Sequence, residues 1–290
     1  MILSAFIFLA LAIGAVWLRP FPFGQRPAPL WPMLFVMALA WGLAGGVLAP
    51  AAIAALVVLT ALAYGCANAP RAWMRLVCGL LTGVLALALA MHKLPGFHNP
   101  ILLDKVVLSQ GAAPFTQYAN FDKGAVGLIL LALLCQRVTS WAELAGVLRR
   151  TAPVLALTLL ATLGFAVAAG VVGIDIKLTR QAITFVTINL AFTVVAEEAF
   201  FRGFLQARLA KALARFRWGA WLAVAVSALL FGAAHLGGGL LYGILATIAG
   251  LGYAWAYQRT QRIEAAIVVH IALNTVHFIA FTYPARLPGV

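Results

Sequence analysis

Val194-Val195-Ala196-Glu197-Glu198-Ala199-Phe200-Phe201-Arg202-Gly203-Phe204 sets two adjacent carboxylates and an arginine in a run that otherwise reads as hydrocarbon. The whole chain has only seven acidic residues, so a neighbouring pair in an apolar stretch needs a reason. The surroundings say what kind of stretch it is. Of 290 residues, 64% are hydrophobic and 9% charged, where a soluble domain carries about 25% charged residues. Mean hydropathy is +1.04. A membrane-crossing helix needs about 20 mostly apolar residues, and only helices and closed barrels satisfy the backbone in lipid. The apolar runs here are long and continuous, without the alternation of barrel strands. The fold class is therefore all-α, a polytopic transmembrane helical bundle.

Candidate spans fall at 2–18, 30–48, 51–67, 73–91, 124–135, 152–172, 181–201, 218–235, 240–257 and 264–282, which predicts eight to ten crossings. The run 124–135 is short for a span, so it starts earlier or is re-entrant. The first run lacks a basic leader and an Ala-x-Ala site before Arg19, so it reads as a retained span rather than a signal peptide.

The net charge of +13 does not indicate nucleic acid. The basic residues are scattered through short connectors: Arg19 and Arg26, Arg71 and Arg75, Arg137 with Arg149 and Arg150, Arg202 to Arg217, and Arg259 with Arg262. Lys and Arg in alternate connectors are topology signals, and they place those connectors in the cytoplasm and the N-terminus outside. The short connectors, with no targeting segment, suggest a bacterial cytoplasmic membrane. The three cysteines, Cys66, Cys78 and Cys135, have no metal-type spacing and read as small buried apolar residues. Three connectors are more than turns. Residues 92–123 form a long polar loop with several Pro and Gly. Residues 141–150 read as a short interfacial helix. Residues 203–217 read as a basic amphipathic helix, with Leu205, Leu209, Leu213 and Phe216 near one face, resting on anionic headgroups.

Ionisable residues inside a membrane are rare and usually functional. The intramembrane polar candidates here concentrate in the C-terminal half: Glu197, Glu198, Arg202, His235, His270, Asn274 and His277. Glu198 and Arg202 are four apart and share a helix face, so they can pair and neutralise each other. Glu197 points elsewhere and has no intrahelical cation. A carboxylate buried without one is tuned toward general-base work near neutral pH. Helix packing through arginines is the plainer reading of both. Phe231 and His235 also share a face, so the ring can orient the imidazole; Gly237 to Gly239 follow. His270, Asn274 and His277 form one polar stripe. The first two can donate to an oxyanion, or all three can serve as polar glue between helices, which suits His277 best.

These three pieces, in this order, resemble the CPBP family of intramembrane proteases, which includes the type II CAAX prenyl endopeptidases and bacteriocin-processing or self-immunity proteins. Its EExxxR motif matches Glu197, Glu198 and Arg202; FxxxH matches Phe231 and His235; HxxxN matches His270 and Asn274. The resemblance covers about 181–281. It implies that residues 151–290 form an intramembrane protease core and leaves residues 1–150 as an N-terminal transmembrane extension. It further implies that Glu197 and His235 activate water, His270 and Asn274 hold the oxyanion, and Glu198, Arg202 and Phe231 support them. The substrate would be a membrane-associated or C-terminally lipidated peptide or protein, entering from the membrane or the cytoplasmic side. The family carries both metalloprotease and glutamic-type labels. Glu197, His235 and His270 can form the three-ligand set of a catalytic zinc, but no HExxH occurs, and a carboxylate can activate water without a metal.

Two other functions fit the same groups. One is a non-catalytic membrane immunity or scaffold protein of this fold, which retention of every motif residue disfavours. The other is an ion-coupled transporter, which the lack of polar residues in the first six spans disfavours. One difficulty attaches to the spans as drawn. They put Glu197 near the cytoplasmic end of one helix and His235 at the far end of the next. Shared chemistry requires either that 203–217 enters the membrane or that the helix ending at His235 stops short.

Overall fold

A computed structural model describes residues 1–23 and 26–287 of the chain. It is about 70% helical. In chain order the helices are α1 (Ile2–Ala15), α2 (Trp31–Ala44), α3 (Pro50–Asn68), α4 (Ala72–Ala90), α5 (Phe121–Leu134), α6 (Trp141–Ala168), α7 (Gln181–Ala212), α8 (Gly219–Ala234), α9 (Leu240–Thr260) and α10 (Ile263–Ala280). A 3-10 turn at Leu236–Gly238 follows α8, and there are two small antiparallel hairpins: β1 (Phe21–Phe23) with β2 (Arg26–Ala28), and β3 (Ile101–Val106) with β4 (Phe115–Tyr118).

Six of these helices, α3, α4, α6, α7, α9 and α10, are long and apolar enough to cross a membrane. Large apolar side chains point outward along them, such as Val84, Leu160 and Ile183. On a soluble protein such faces would be association sites; on membrane helices they meet lipid. The protein is an integral membrane protein. The expected eight to ten crossings are not reached on length alone, because α1, α2 and α8 are shorter apolar helices. The 16 residues of α8 span about 24 Å at about 1.5 Å per residue, less than the ~30 Å hydrocarbon core.

Three elements differ from the sequence-based expectation. Residues 141–150 are not a separate interfacial helix. Ser140 caps α6 by accepting from the Glu143 N–H at 3.2 Å, and the helix runs on through Pro153 to Ala168. The change from polar to apolar composition near Thr151 is a change of solvent along one helix. Likewise α7 does not stop at Phe201. It continues through Gly203 to Ala212, with π-helical turns at Leu190–Val194 and Ala199–Gln206 on either side of an α-helical turn, Val195–Glu198. The basic residues of the supposed surface helix begin as its last turns. Finally, the loop 92–123 contains the β3–β4 hairpin and the first turn of α5.

The chain divides into two compact units, each built from separate stretches. The first comprises Met1–Pro100, Ala119–Gln136 and Ala191–Gly203. Its centre is α5, buried from Phe121 to Leu131 except at the partly buried Lys123. A helix apolar on all sides belongs in a core, and this one is sheathed by protein, which explains a length of only 14 residues. Phe6 of α1 meets Phe121 and Phe192 edge to face, at 5.7 and 5.6 Å between centroids. Gly124 and Gly127 form the face of α5 toward residues 192–196. A Cβ on Gly127 would stand 2.9 Å from the Ala196 Cα, so the two backbones approach as closely as a glycine permits.

The second unit comprises Ile101–Tyr118, Arg137–Leu190 and Phe204–Val290. Glycines again set its helix contacts: Gly252 of α9 lies against Thr158 of α6, and Gly232 of α8 against Thr247 and the Gly243 carbonyl of α9. An aromatic group of Phe115, Phe185, Phe278 and Tyr283 fixes the hairpin to α7 and α10. An extended strap pairs with the end of α10 through Asp175 N–H to Ala280 and Lys177 N–H to Ile279, at 2.9 and 2.8 Å. Its apolar residues Ile174, Ile176 and Leu178 point outward, while Asp175 and Lys177 form an ion pair at 3.1 Å. The Ser109 hydroxyl, then Lys177, hold the Asp175 carboxyl below the usual range against the opposing effect of burial.

Two outcomes follow. Gly127→Val should cost about 1–3 kcal/mol through overpacking against backbone, read as a lower melting temperature in detergent. A depressed carboxyl stabilises the fold above its unfolded pKa and loses that effect as pH falls through the folded value. Asp175→Asn should therefore melt below the wild type at pH 7, and the gap should close as acid protonates Asp175; an equal gap at every pH would contradict this.

Candidate active site

The residues singled out in the sequence fall into two sets, one in each unit. In the first unit, the α-helical turn Val195–Glu198 holds both carboxylates. Such π-helical interruptions as flank it occur often at functional sites. Glu197 lies sixteen residues after Gln181 and fifteen before Ala212, in the middle of its helix. The expected position near a helix end followed from stopping that helix at Phe201.

Glu198 and Arg202 pair as their spacing predicts. Arg202 Nη1 donates to Glu198 Oε1 at 2.9 Å, with both side chains 0% exposed. The guanidinium also lies over the Phe201 ring, 5.7 Å from its centroid. Glu197 has a cation too, contrary to the expectation of an unpaired carboxylate. It comes from another helix: Lys123 Nζ of α5 donates to Glu197 Oε1 at 2.8 Å. The start of α5 is itself braced. Asp122, 1% exposed, takes His92 Nδ1 at 2.6 Å, Asn99 Nδ2 at 3.0 Å and the Lys123 N–H at 2.8 Å. The Asn99 carboxamide oxygen in turn accepts from the Phe121 N–H at 2.8 Å.

In the second unit the two histidines converge on one ring. His235 ends α8 and packs on Phe231 at 4.4 Å between centroids, while His270 of α10 meets the same ring edge to face at 5.8 Å. Because His235 Nδ1 is 2.7 Å from the Phe231 carbonyl, which can only accept, the proton sits on Nδ1. In the neutral ring Nε2 is then the basic nitrogen. His270 is buried and stacks on Tyr253 of α9, 4.3 Å apart and 16° from parallel. Asn274, one turn on, donates through Nδ2 to Asn189 Oδ1 of α7 at 2.9 Å. His277 instead lies against Tyr283, 4.9 Å between centroids. The stripe read from the sequence is real, and each member meets a different neighbour.

Three neighbours escaped the sequence reading: Lys123, Asn189 and Tyr253. Lys123 closes what looks like a solvated loop, 74 residues before Glu197, and no local spacing links them. Asn189 and Tyr253 sit in apolar spans where one polar or aromatic residue is unremarkable.

Among the described residues, no group of three or more His, Cys, Asp or Glu side chains is arranged to hold a metal ion. Glu197 is engaged by Lys123, and the thiols of Cys66, Cys78 and Cys135 are free of disulfides.

The family model described as type II CAAX prenyl endopeptidase Rce1-like matches residues 179–276, 98 of the 290 residues. That segment is Rce1-like, a resemblance to a family of proteases, and it contains every motif residue from Glu197 to Asn274. No curated protein and no solved structure matches the chain.

A buried ion pair is costly to break and cheap to replace whole. Arg202→Met should cost about 3–5 kcal/mol by stranding Glu198, and Glu198→Leu with Arg202→Met should recover most of it. Thermal unfolding of the two variants in detergent checks this. Equal loss in both would mean that packing, not charge, fixes the turn.

Proposed function

We propose that this protein is an intramembrane endopeptidase that hydrolyses peptide bonds with water activated by Glu197 and His235. The observation that carries the reading is the Rce1-like segment 179–276, in which the carboxylate turn, the Phe231–His235 pair and the His270–Asn274 pair occur in order, each held by specific neighbours.

In this reading the Glu197 carboxylate takes a proton from water as the oxygen attacks the scissile carbonyl carbon. His235, with Nε2 as its basic nitrogen, orients the same water. The carbonyl oxygen becomes an oxyanion, and His270 and Asn274 donate to it. A donor of that kind is worth about 2.7–4 kcal/mol when it is already in place. The C–N bond then breaks, and the proton held by Glu197 passes to the leaving amine. Stacking on Tyr253 and the hydrogen bond to the Asn189 carboxamide fix the two donors in advance, which is how such stabilisation becomes effective. Glu198 and Arg202 neutralise each other and hold the turn.

The substrates we assign are membrane-associated proteins or peptides, including those with a lipidated C-terminus; the prenylated class comes from the description of the matching family. No step above passes through a metal ion.

The test is cleavage of a fluorogenic peptide set, prenylated C-terminal peptides included, by protein purified in detergent. Wild type should cleave, and Glu197→Gln should abolish turnover. Asn274→Ala should lower kcat by about 10²–10³-fold with a smaller change in KM. Activity should survive chelation. Loss on chelation with recovery on adding zinc would reassign Glu197, His235 and His270 as ligands, and full activity in Glu197→Gln would overturn the reading.

A further inference from the structure

We infer that Lys123 is a positioning residue for Glu197: its ammonium holds the carboxylate of the proposed general base in one orientation and balances its charge. The inference rests on the protease reading above. It extends that reading to a residue outside all three motifs and outside the matched segment 179–276.

The contact is direct, Nζ to Oε1 at 2.8 Å, with Lys123 and Glu197 side chains 18% and 12% exposed. Charge pairs on open surfaces are worth little because water screens them. A pair that is mostly withdrawn from water, in a chain set in a membrane, is not screened in this way.

The position of Lys123 is unfavourable on local grounds, which is the strongest sign of a purpose. It is the third residue of α5. The first turn of a helix carries a partial positive charge and favours anions, so a lysine there opposes the helix dipole. Asp122 occupies the place that the dipole favours, buried and held by His92, Asn99 and the Lys123 N–H. That bracing fixes the backbone from which Lys123 extends. Departures from a local rule of this kind are expected where function requires them.

The approach of the two helices serves the same end. Gly124 and Gly127 follow Lys123, and a Cβ on either would collide with Phe192 or Ala196. The absence of side chains there brings α5 against the turn that holds Glu197, within the reach of a lysine. Near this contact Glu198 pairs with Arg202 within α7, and Asp122 is held by His92 and Asn99.

The test compares Lys123→Met, Lys123→Arg, Glu197→Gln and the double variant Lys123→Met/Glu197→Gln, using a peptide that wild type cleaves. A base displaced by about 1 Å can lose about 100-fold in rate. Lys123→Met should therefore lower kcat by about that factor and leave KM within about twofold, whereas Lys123→Arg should recover most of the loss. Melting temperature supplies a readout independent of turnover. Lys123→Met should melt early because it removes the ammonium from the Glu197 carboxylate, and the double variant should melt higher than Lys123→Met alone, the mark of a coupled pair.

Wild-type kcat in Lys123→Met would overturn the inference, as would an Arg variant no better than Met. Additive melting effects would overturn it as well. The two levels separate cleanly: an active Glu197→Gln removes Glu197 as the base of the proposed reaction, whereas an inactive Glu197→Gln beside a fully active Lys123→Met removes only the role of Lys123.

Discussion

A carboxylate withdrawn from water must find a cation or lose its charge, and this chain places two such carboxylates side by side. The structure pairs Glu198 with Arg202 from the same helix and Glu197 with Lys123 from α5. Much of the first unit follows from that requirement. The central helix is short and sheathed, its glycines admit the turn that bears the glutamates, and its first residues are tied down by Asp122 and Asn99. The two pairs also differ in kind. The arginine pair is fully buried and local, so it sets structure. The lysine pair is partly open and links two helices, so it can set the geometry of a reactive group.

Aromatic rings, a backbone carbonyl and an amide hold the candidate site residues of the second unit. His235 and His270 are oriented by contacts with aromatic rings, by the Phe231 carbonyl and by stacking on Tyr253. Asn274 is held by the amide of Asn189. Neutral donors and acceptors cost less to bury than ions, provided that each is satisfied. In the proposed peptide hydrolysis, a set fixed by ion pairs suits a base that carries charge, and a set fixed by rings and amides suits donors in place before charge develops.

Composition and apolar run length made the membrane class and most helix positions legible, because both depend on sums over many residues. The Glu198–Arg202 pair was legible because a spacing of four is a local rule, and so was the contact of Phe231 with His235. Element boundaries at 150 and 202 were misread for a common reason. Arg149, Arg150 and the basic residues after Gly203 look like the edge of a span, yet a helix can pass from lipid to headgroup without breaking. The position of Glu197 along its helix moves from near an end to the middle with the second of these boundaries. The Lys123–Glu197 and Asn189–Asn274 contacts could not be read at all, since each joins residues distant in the chain.

Cleavage in water labelled with ¹⁸O, followed by mass spectrometry of the products, tests hydrolysis itself most directly. The account predicts that wild-type protein yields a new C-terminus carrying one solvent-derived ¹⁸O, together with the matching free amine. Intact peptide after prolonged incubation with the full substrate set, or cleavage products with no solvent oxygen, would contradict it.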